Sequence, residues 1–423
     1  MATIFIFFAS LFIGLRHNKG NTLSDYHREL KADKSGYNVY LPALFIYNFN
    51  SKNLPADIEN KVGKGFSIDT TNDKIITKYP YGVALLQLPF WAIAHSVAEI
   101  KDGYSSVAYY SAIDWAASFY LALGLLLIFK LASFYFENKT RLLWITFLVL
   151  PFATNLFYYA TYDGGMSHVY SFFVIAAFLY SYVRYLKNKL TSFIVPAMLF
   201  ALAIIIRPVN VIFIWVLLFI ECGSGMDFWN RIKFLLKPKH SLMLVGFLVL
   251  FLIPQLGYNY YATSKLTISL YTDEKFIHFP AMKLPEVLMA TNNGIFTYTP
   301  AFIFVLLGCW FFTKNQRFFA LSTLYVFLVY IIFYGSWWSY YLGCAFGHRG
   351  LVDFYPLFVF PIMAFFDKQS RNKFRYNTVT ALLIFFMICT TLMAKRYDCC
   401  YYGNGDWDWN YYFNYLLRTL LFK

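Results

Sequence analysis

Chemically active polar side chains occur in five connections between the apolar segments of this sequence. A carboxylate in such a place can take a proton from a hydroxyl, and an arginine can hold a phosphate through two parallel hydrogen bonds. The pattern therefore indicates acid–base and phosphate chemistry at the ends of the apolar segments. The residues are Asp25, His27, Asp33 and Lys78; Asp163 and His168; Arg207; Asp273, Glu274 and His278; and His348 with Arg349.

Three aspartates are candidate catalytic carboxylates. Asp33, in KADKSGYNVYLPA, is the first candidate for a general base, although a single loop aspartate is more often a solvated charge or a helix N-terminal acid. Asp25, eight residues upstream, is its rival, and composition does not choose between them. Asp163, in TYDGGMSH, has capping of the next helix as its default role.

Arg349, Arg207 and Lys78 are the candidate phosphate ligands. Arg207, in IRPVN, stands between apolar runs, where an arginine either snorkels to headgroups or points into a cavity. The proline after it favours a sharp turn. Arg349 ends the segment GSWWSYYLGCAFGHR, whose glycines allow a close approach of the backbone to a ligand. Lys78 is the weakest of the three.

Histidine and aromatic side chains near these charges are candidate substrate contacts. Tryptophan and tyrosine stack on sugar rings, although they also anchor proteins at the membrane interface. The spacing of Asp163 and His168 matches no metal motif, so we predict neither a metal site nor a cofactor, and a divalent ion remains compatible with the pattern. The candidate substrate-binding residues are His348, His168, Trp337, Trp338 and Tyr37.

The chain that must position these residues is strongly apolar. Of its 423 residues, 59% are hydrophobic and 14% are charged, whereas about 25% of an ordinary soluble domain is charged. We therefore predict an all-α polytopic membrane protein, with residues 1–423 as a single transmembrane domain. About 11 transmembrane helices are predicted, at 2–15, 106–133, 142–160, 168–186, 191–206, 208–221, 241–261, 294–312, 318–335, 351–366 and 377–394.

Residues 16–104 are predicted to form a large first outer loop. Within it, the apolar runs 36–49 and 79–100 are too short or too interrupted to span a bilayer, so they indicate interfacial helices. Residues 395–423 are predicted to form an outer C-terminal tail. The six cysteines have the spacing of neither a zinc site nor a disulfide framework.

The net charge of +14 supports an orientation for the predicted helices. With the N-terminus in the cytoplasm, sixteen basic residues fall in inner loops and five in short outer connections, as the positive-inside rule expects. This orientation puts the candidate residues on the outer face, and it explains the charge without nucleic acid. The sixteen are Lys130, Lys139, Arg141, Arg184, Lys187, Lys189, Arg231, Lys233, Lys237, Lys239, Lys314, Arg317, Lys368, Arg371, Lys373 and Arg375.

Five segments across the chain resemble the GT-C class of membrane glycosyltransferases, in particular bacterial relatives of the protein mannosyltransferase and aminoarabinose transferase group. The segments are DKSGYNVYLPALFI, KYPYGVALLQLPFWAIAH, NLFYYATYDGGMSHVYSFF, IRPVN and WWSYYLGCAFGHRGLVDFYP. The resemblance implies a polyprenyl-phosphate sugar donor and inverting transfer on the periplasmic face of a bacterial inner membrane. It also implies that the acid of the first loop is the general base, a role that falls to Asp33 with Asp25 second.

The sequence also departs from that group. Its early loop lacks the Asp-Glu pair common in protein mannosyltransferases, and its 423 residues predict no large soluble C-terminal domain such as oligosaccharyltransferases carry. A lipid-linked or glycan acceptor is therefore expected rather than a protein. Two alternatives stay open. One is a ligase or polymerase of lipid-linked glycans; the other is a non-enzymatic transporter of a lipid or solute, for which the sequence shows no internal repeat.

Overall fold

A computed structural model describes residues 1–18, 29–137, 139–271, 274–311, 317–397 and 405–421. Most of the described residues are helical. The helices are Ala2–Asn18 (α1), Asp33–Asn38 (α2), Tyr40–Phe45 (α3), Ile58–Lys61 (α4), Gly82–Val97 (α5), Val107–Ser133 (α6), Thr140–Phe152 (α7), Leu156–Thr161 (α8), Ser167–Leu186 (α9), Ile194–Ile206 (α10), Ile214–Phe219 (α11), Gly225–Leu235 (α12), Pro238–Thr263 (α13), Leu284–Met289 (α14), Ile295–Tyr298 (α15), Ile303–Trp310 (α16), Arg317–Ser336 (α17), Tyr355–Gln369 (α18), Lys373–Arg396 (α19) and Trp409–Leu420 (α20). Turns of 3-10 helix cover Ser51–Asn53, Pro208–Phe213, Phe279–Ala281, Pro300–Phe302 and Arg349–Phe354.

The structure confirms the predicted class of all-α polytopic membrane protein. Within the described ranges, six helices are long and apolar enough to cross a membrane, and six shorter helices are apolar. Each of the predicted spans overlaps one of these segments, although several are broken. The span predicted at 142–160 divides into α7 and α8, and α7 contains a proline near its end, Pro151.

The bundle has a buried centre and a lipid-facing edge. Helix α6 packs against α1, α5 and α9, and α9 also packs against α10; α16 packs against α18. By contrast, α13 exposes Leu242, Val249 and Ile253 along much of its length. A helix apolar on its exposed side is stable there only if lipid covers it. This exposure therefore agrees with a membrane-embedded chain.

The first loop is more structured than the sequence indicates. The run 36–49, predicted as one interfacial helix, forms the two short helices α2 and α3, which meet at Val39. The run 79–100 forms the single helix α5, whose buried face packs on α6. Two short strands, Ser67–Asp69 (β1) and Lys74–Ile76 (β2), pair antiparallel in the same loop, and the sequence pattern does not predict them.

The described part of the C-terminal tail lies against the loops that precede α15 and α18. The amide of Thr291 donates to the carbonyl oxygen of Asp406 at 2.8 Å, and the Tyr340 hydroxyl donates to the Asp406 carboxylate. Helix α20 packs on α19. The tail and the loop that ends in Arg349 are therefore on the same face of the bundle.

Candidate active site

Asp33 begins helix α2, and its surroundings are built by the rest of the first loop. The amide of Ala32 donates to the carbonyl oxygen of Val62 at 2.7 Å, which fixes the chain just before the helix. A Cβ atom at Gly36 would lie 2.3 Å from the ring of Tyr79. Only glycine lets that ring lie directly on α2, so the sequence DKSG brings the Tyr79 hydroxyl to the Asp33 side chain.

The Asp33 carboxylate has two charge-stabilising partners. The Tyr79 hydroxyl donates to Oδ1 at 2.6 Å, and Nη2 of Arg349 lies 3.1 Å from Oδ2. Burial alone would raise the pKa of Asp33, but Arg349, the Tyr79 hydroxyl and Lys78 together lower it below its ordinary value. The side chain is 35% exposed. Asp33 is therefore an ionised carboxylate that a ligand can still reach.

Arg349 reaches Asp33 from the other end of the chain. It begins the 3-10 turn Arg349–Phe354, which leads into α18, and its side chain is 19% exposed. Tyr37, whose ring lies 4.4 Å from that of Tyr79, interacts electrostatically with both Arg349 and Arg207. A buried tyrosine is thus close enough to both predicted phosphate ligands to interact with each.

Arg207 is held by a buried polar cluster that the sequence did not fully predict. It lies at the C-terminal end of α10 in extended conformation, and Pro208 begins the next 3-10 turn. Its Nη1 donates to the Asp353 carboxylate and contacts Nδ1 of His168 at 3.0 Å, and its Nη2 donates to the Tyr334 hydroxyl at 3.0 Å. Because arginine can only donate, Nδ1 of His168 accepts and its Nε2 carries the proton.

His348 has both ring nitrogens engaged within the protein. Its Nε2 lies 3.0 Å from the carbonyl oxygen of Tyr340, and its Nδ1 contacts the Tyr330 hydroxyl. Since a carbonyl only accepts, Nε2 is the donor and Nδ1 accepts from Tyr330. Burial lowers the pKa of His348 to about 3. This neutral histidine ties the loop that ends in Arg349 to α17.

Asp163 belongs to a separate ionic cluster beside α2. Nζ of Lys34 lies 3.0 Å from Oδ1 of Asp163 and 3.9 Å from Oε2 of Glu29. The Glu29 carboxylate accepts hydrogen bonds from the amides of Gly164 and Gly165. Burial raises the pKa of Glu29 to about 7, with Lys34 lowering it and Asp163 raising it. The cluster fastens the TYDGGMSH turn to the residues next to Asp33.

The remaining predicted residues lie at varying distances from Asp33. Lys78 pairs with Glu274, at 2.5 Å between Nζ and Oε1, and is close enough to Asp33 to lower its pKa. The ring of Trp337 packs against Phe276 and Phe333, and Trp338 is 44% exposed. No contact joins either tryptophan to Asp33 within the described residues. Asp25, His27 and Asp273 lie outside the described residues.

Several site residues were missed by sequence reasoning, although signals for some of them exist. Asp353 lies four residues after Arg349 in an apolar segment, where a carboxylate is stable only when it pairs with a cation or a hydrogen-bond donor. Tyr79 and Tyr334 carried no signal, since the chain has 36 tyrosines. Glu29 sits four residues before Asp33, and only the fold shows that its carboxylate faces Gly164.

The described residues contain no group of three or more histidine, cysteine, aspartate or glutamate side chains that could hold a metal ion. One cysteine finding differs from the sequence expectation. Cys344, in the loop that ends in Arg349, is disulfide-bonded, whereas Cys222, Cys309 and Cys389 are free. Isolated spacing could not predict this bond, because disulfide pairing depends on distance in the fold.

Comparison with solved structures finds the same fold in an archaeal enzyme. The oligosaccharyltransferase of Archaeoglobus fulgidus, in a crystal structure tethered to an acceptor peptide containing the NVT sequon, aligns with a TM-score of 0.52 and 12% identity over 95% of this chain. The same enzyme in its apo form aligns with a TM-score of 0.48 and 13% identity. This chain covers 56% of the archaeal chain. No protein-family model matches the sequence, and no curated protein matches it.

Proposed function

We propose that this protein is a membrane glycosyltransferase that moves a sugar from a polyprenyl-phosphate donor to a lipid-linked or glycan acceptor. The observation that carries the proposal is the pairing of Asp33 with Arg349, which sets an ionised, partly exposed carboxylate beside a phosphate-binding side chain. The fold shared with an oligosaccharyltransferase supports the same class of reaction.

The reaction is a single displacement at the anomeric carbon of the donor sugar. Asp33 takes the proton from the acceptor hydroxyl while the acceptor oxygen bonds to the anomeric carbon. The bond from the carbon to the phosphate oxygen breaks, and the electron pair leaves with the phosphate. A single displacement inverts the configuration and needs one base, which is consistent with one accessible carboxylate beside Arg349.

Arg349 binds two anions in this mechanism, the Asp33 carboxylate and the donor phosphate. Competition between them makes Asp33 a stronger base. In the unliganded protein, its guanidinium holds Asp33 ionised and keeps the pKa of that carboxyl low, which makes it a weak base. When the donor phosphate binds, it competes with Asp33 for Arg349. The pKa of Asp33 then rises toward its ordinary value, so the carboxylate becomes more basic when the donor is in place.

Arg207 is the second phosphate ligand in this proposal. Asp353, which is fully buried, and His168 fix its guanidinium in place, and Tyr37 interacts electrostatically with both Arg207 and Arg349. Preorganised cations that face a developing negative charge stabilise the transition state without reorganisation. Lys78, which is 42% exposed and paired with Glu274, supplies a weaker long-range charge.

An apolar groove offers a place for the polyprenyl tail. It has a volume of about 670 Å³, lies between α3, α5 and α13, and is lined by apolar and aromatic residues that include Tyr40, Tyr81, Leu85 and Tyr258. The Tyr40 hydroxyl donates to the carbonyl oxygen of Tyr79 at 2.6 Å, so the groove begins next to the tyrosine that contacts Asp33. A lipid tail in this groove would keep its phosphate near Arg349.

We place the reaction on the periplasmic face of a bacterial inner membrane. The excess of basic residues in the opposite loops supports that orientation. The Cys344 disulfide supports it independently, because disulfides persist in oxidising compartments and this one lies in the loop that ends in Arg349. The buried polar side chains of Arg207, His168 and Asp353 lie at the ends of helices rather than at their centres, which favours an enzyme over a transporter.

Mass spectrometry of lipids that copurify with the protein tests the proposal. We expect a polyprenyl-phosphate sugar with wild type and with Asp33→Asn, and much less of it with Arg349→Gln. Incubation with labelled donor and membrane extract then identifies the acceptor, and addition of one sugar distinguishes a transferase from a ligase or polymerase of glycan chains. Copurification of no polyprenyl lipid with either wild type or Asp33→Asn would overturn the donor assignment.

A further inference from the structure

A polar cavity, distinct from the apolar groove, lies at the end of the bundle remote from Asp33. Its volume is about 600 Å³. Helix α9 has 20 residues, a length of about 30 Å, with His168 at its first turn and Tyr185, which lines the cavity, at its last. This is the thickness of a bilayer hydrocarbon core. The cavity, here called the remote pocket, is lined by residues that include Tyr185, Asn188, Glu221, Asp227, Asn230 and Arg231.

The remote pocket contains a fixed cation and two carboxylates. Asp227 and Arg231 are four residues apart on α12, so they share one face of that helix. Nη1 of Arg231 donates to the Tyr182 hydroxyl at 2.9 Å and to the carbonyl oxygens of Leu217 and Ile220. All three bonds use Nη1. Because guanidinium has five N–H donors, those on Nε and Nη2 remain for a ligand.

The carboxylates of the remote pocket are also held in place. The cap hydrogen bonds to Asp227, from Gly223 and Ser224, all end on Oδ2, which leaves Oδ1 as an acceptor. Glu221 accepts from the Tyr135 hydroxyl, and its Oε2 lies 3.0 Å from Nζ of Lys187. The pocket therefore offers acceptors as well as donors, so it is suited to a ligand that carries both signs of charge.

The opposite face of α12 indicates that the remote pocket opens at a bilayer surface. Met226, Trp229 and, just after the helix, Leu236 are 67%, 59% and 70% exposed. Lysines follow at 237 and 239, on either side of Pro238. A short helix with exposed tryptophan and neighbouring basic residues is typical of one that lies at the level of lipid headgroups. A ligand in the pocket can thus remain anchored in the membrane.

We propose that the remote pocket binds the headgroup of a phosphoethanolamine-type phospholipid from the leaflet beside α12. Arg231 and the amides of Asn188 and Asn230 donate to the phosphate, and Asp227 and Glu221 accept from the primary ammonium. A phosphatidylglycerol headgroup has no ammonium for the carboxylates. A choline headgroup carries the charge but has no N–H donor. The charge arrangement therefore selects the ethanolamine headgroup.

The test measures binding of short-chain phosphatidylethanolamine to the purified full chain by native mass spectrometry, with short-chain phosphatidylglycerol and phosphatidylcholine as competitors. Arg231→Gln is expected to weaken phosphatidylethanolamine binding at least tenfold. Lys233→Gln, which removes an exposed charge from the outward face of the same helix, is the matched control and should stay within twofold of wild type. Thr191→Trp, which fills the pocket mouth without removing any of these hydrogen bonds, should block binding as strongly as Arg231→Gln.

The outcomes that overturn the proposal are distinct. Equal affinity for phosphatidylglycerol would show that the carboxylates do not select the ammonium. Binding of free phosphoethanolamine as tightly as the lipid would identify a soluble ligand instead of a membrane lipid. Wild-type binding by Thr191→Trp would place the lipid elsewhere, whatever Arg231→Gln does to folding. Transfer activity is not the readout, so failure of the proposed glycosyltransferase function leaves this test unaffected.

Discussion

Nη2 of Arg349 lies 3.1 Å from Oδ2 of Asp33. This contact joins α2, in the first loop, to the 3-10 turn that leads into α18. Within the described residues, neither side chain forms a second ion pair. A donor phosphate that binds Arg349 therefore competes with Asp33 for the guanidinium. This relationship underlies the first three predictions.

Asp33→Asn should lower transfer by about 10²–10⁴-fold while donor binding persists, because the amide cannot take the acceptor proton. The measurement is turnover of labelled donor by purified protein, with donor retention measured in parallel. Asp57→Asn, another loop aspartate with an exposed hydrogen-bonded side chain, is the control and should retain full activity. Turnover like that of wild type in Asp33→Asn would remove Asp33 as the base.

Arg349→Gln should weaken donor binding by about 10–100-fold, since it removes a charge-assisted contact to the phosphate. Lys78→Gln should have a smaller effect, because Lys78 is more exposed and already paired with Glu274. Equilibrium binding of a polyprenyl phosphate measures both. If the two variants lose affinity equally, the phosphate does not sit at Arg349.

The acid limb of the pH–rate profile should differ between kcat and kcat/KM. In the free protein the pKa of Asp33 lies below its ordinary 3.8, so Asp33 is deprotonated above that pH and kcat/KM for the donor should not fall between pH 8 and pH 5. In the donor complex the phosphate engages Arg349, the pKa rises, and kcat should begin to fall at a higher pH. Superimposable limbs would contradict the sharing of Arg349.

Asp353→Asn should destabilise the protein strongly, because it leaves the guanidinium of Arg207 without its carboxylate in a buried site. Breaking one partner of a buried pair costs about 3–5 kcal/mol. Thermal unfolding in detergent measures the loss. The double variant Arg207→Gln with Asp353→Asn should be less destabilised than the sum of the single variants, and strict additivity would show that the pair is not coupled.

Cysteine labelling tests the orientation. Lys101→Cys, in the first loop, should react with a membrane-impermeant maleimide in intact cells, and Lys233→Cys, on α12, only after permeabilisation. Both lysines are exposed, so accessibility within the fold does not limit the reaction. The chain without either substitution is the background control, and its labelling is subtracted from that of each variant; Cys222, Cys309 and Cys389 are buried. Labelling in the reverse order would place the site in the cytoplasm.

The sequence predicted the helical spans well because each depends on local apolar composition, which is legible over about 20 residues. It was less successful in the first loop. The pair β1 and β2 depends on contacts between two very short segments, which have no periodic signature.

Asp33, Arg349 and Arg207 became candidates from the sequence alone, because a charge beside apolar segments is costly and stands out. Only the tertiary structure decided their partners. Asp353 stabilises Arg207, Tyr79 orients Asp33, and His348 fixes the loop before Arg349, and each contact joins residues far apart in the chain. Hydropathy determines which segments enter the membrane, but hydrogen-bond geometry across packed helices determines which charged side chains meet.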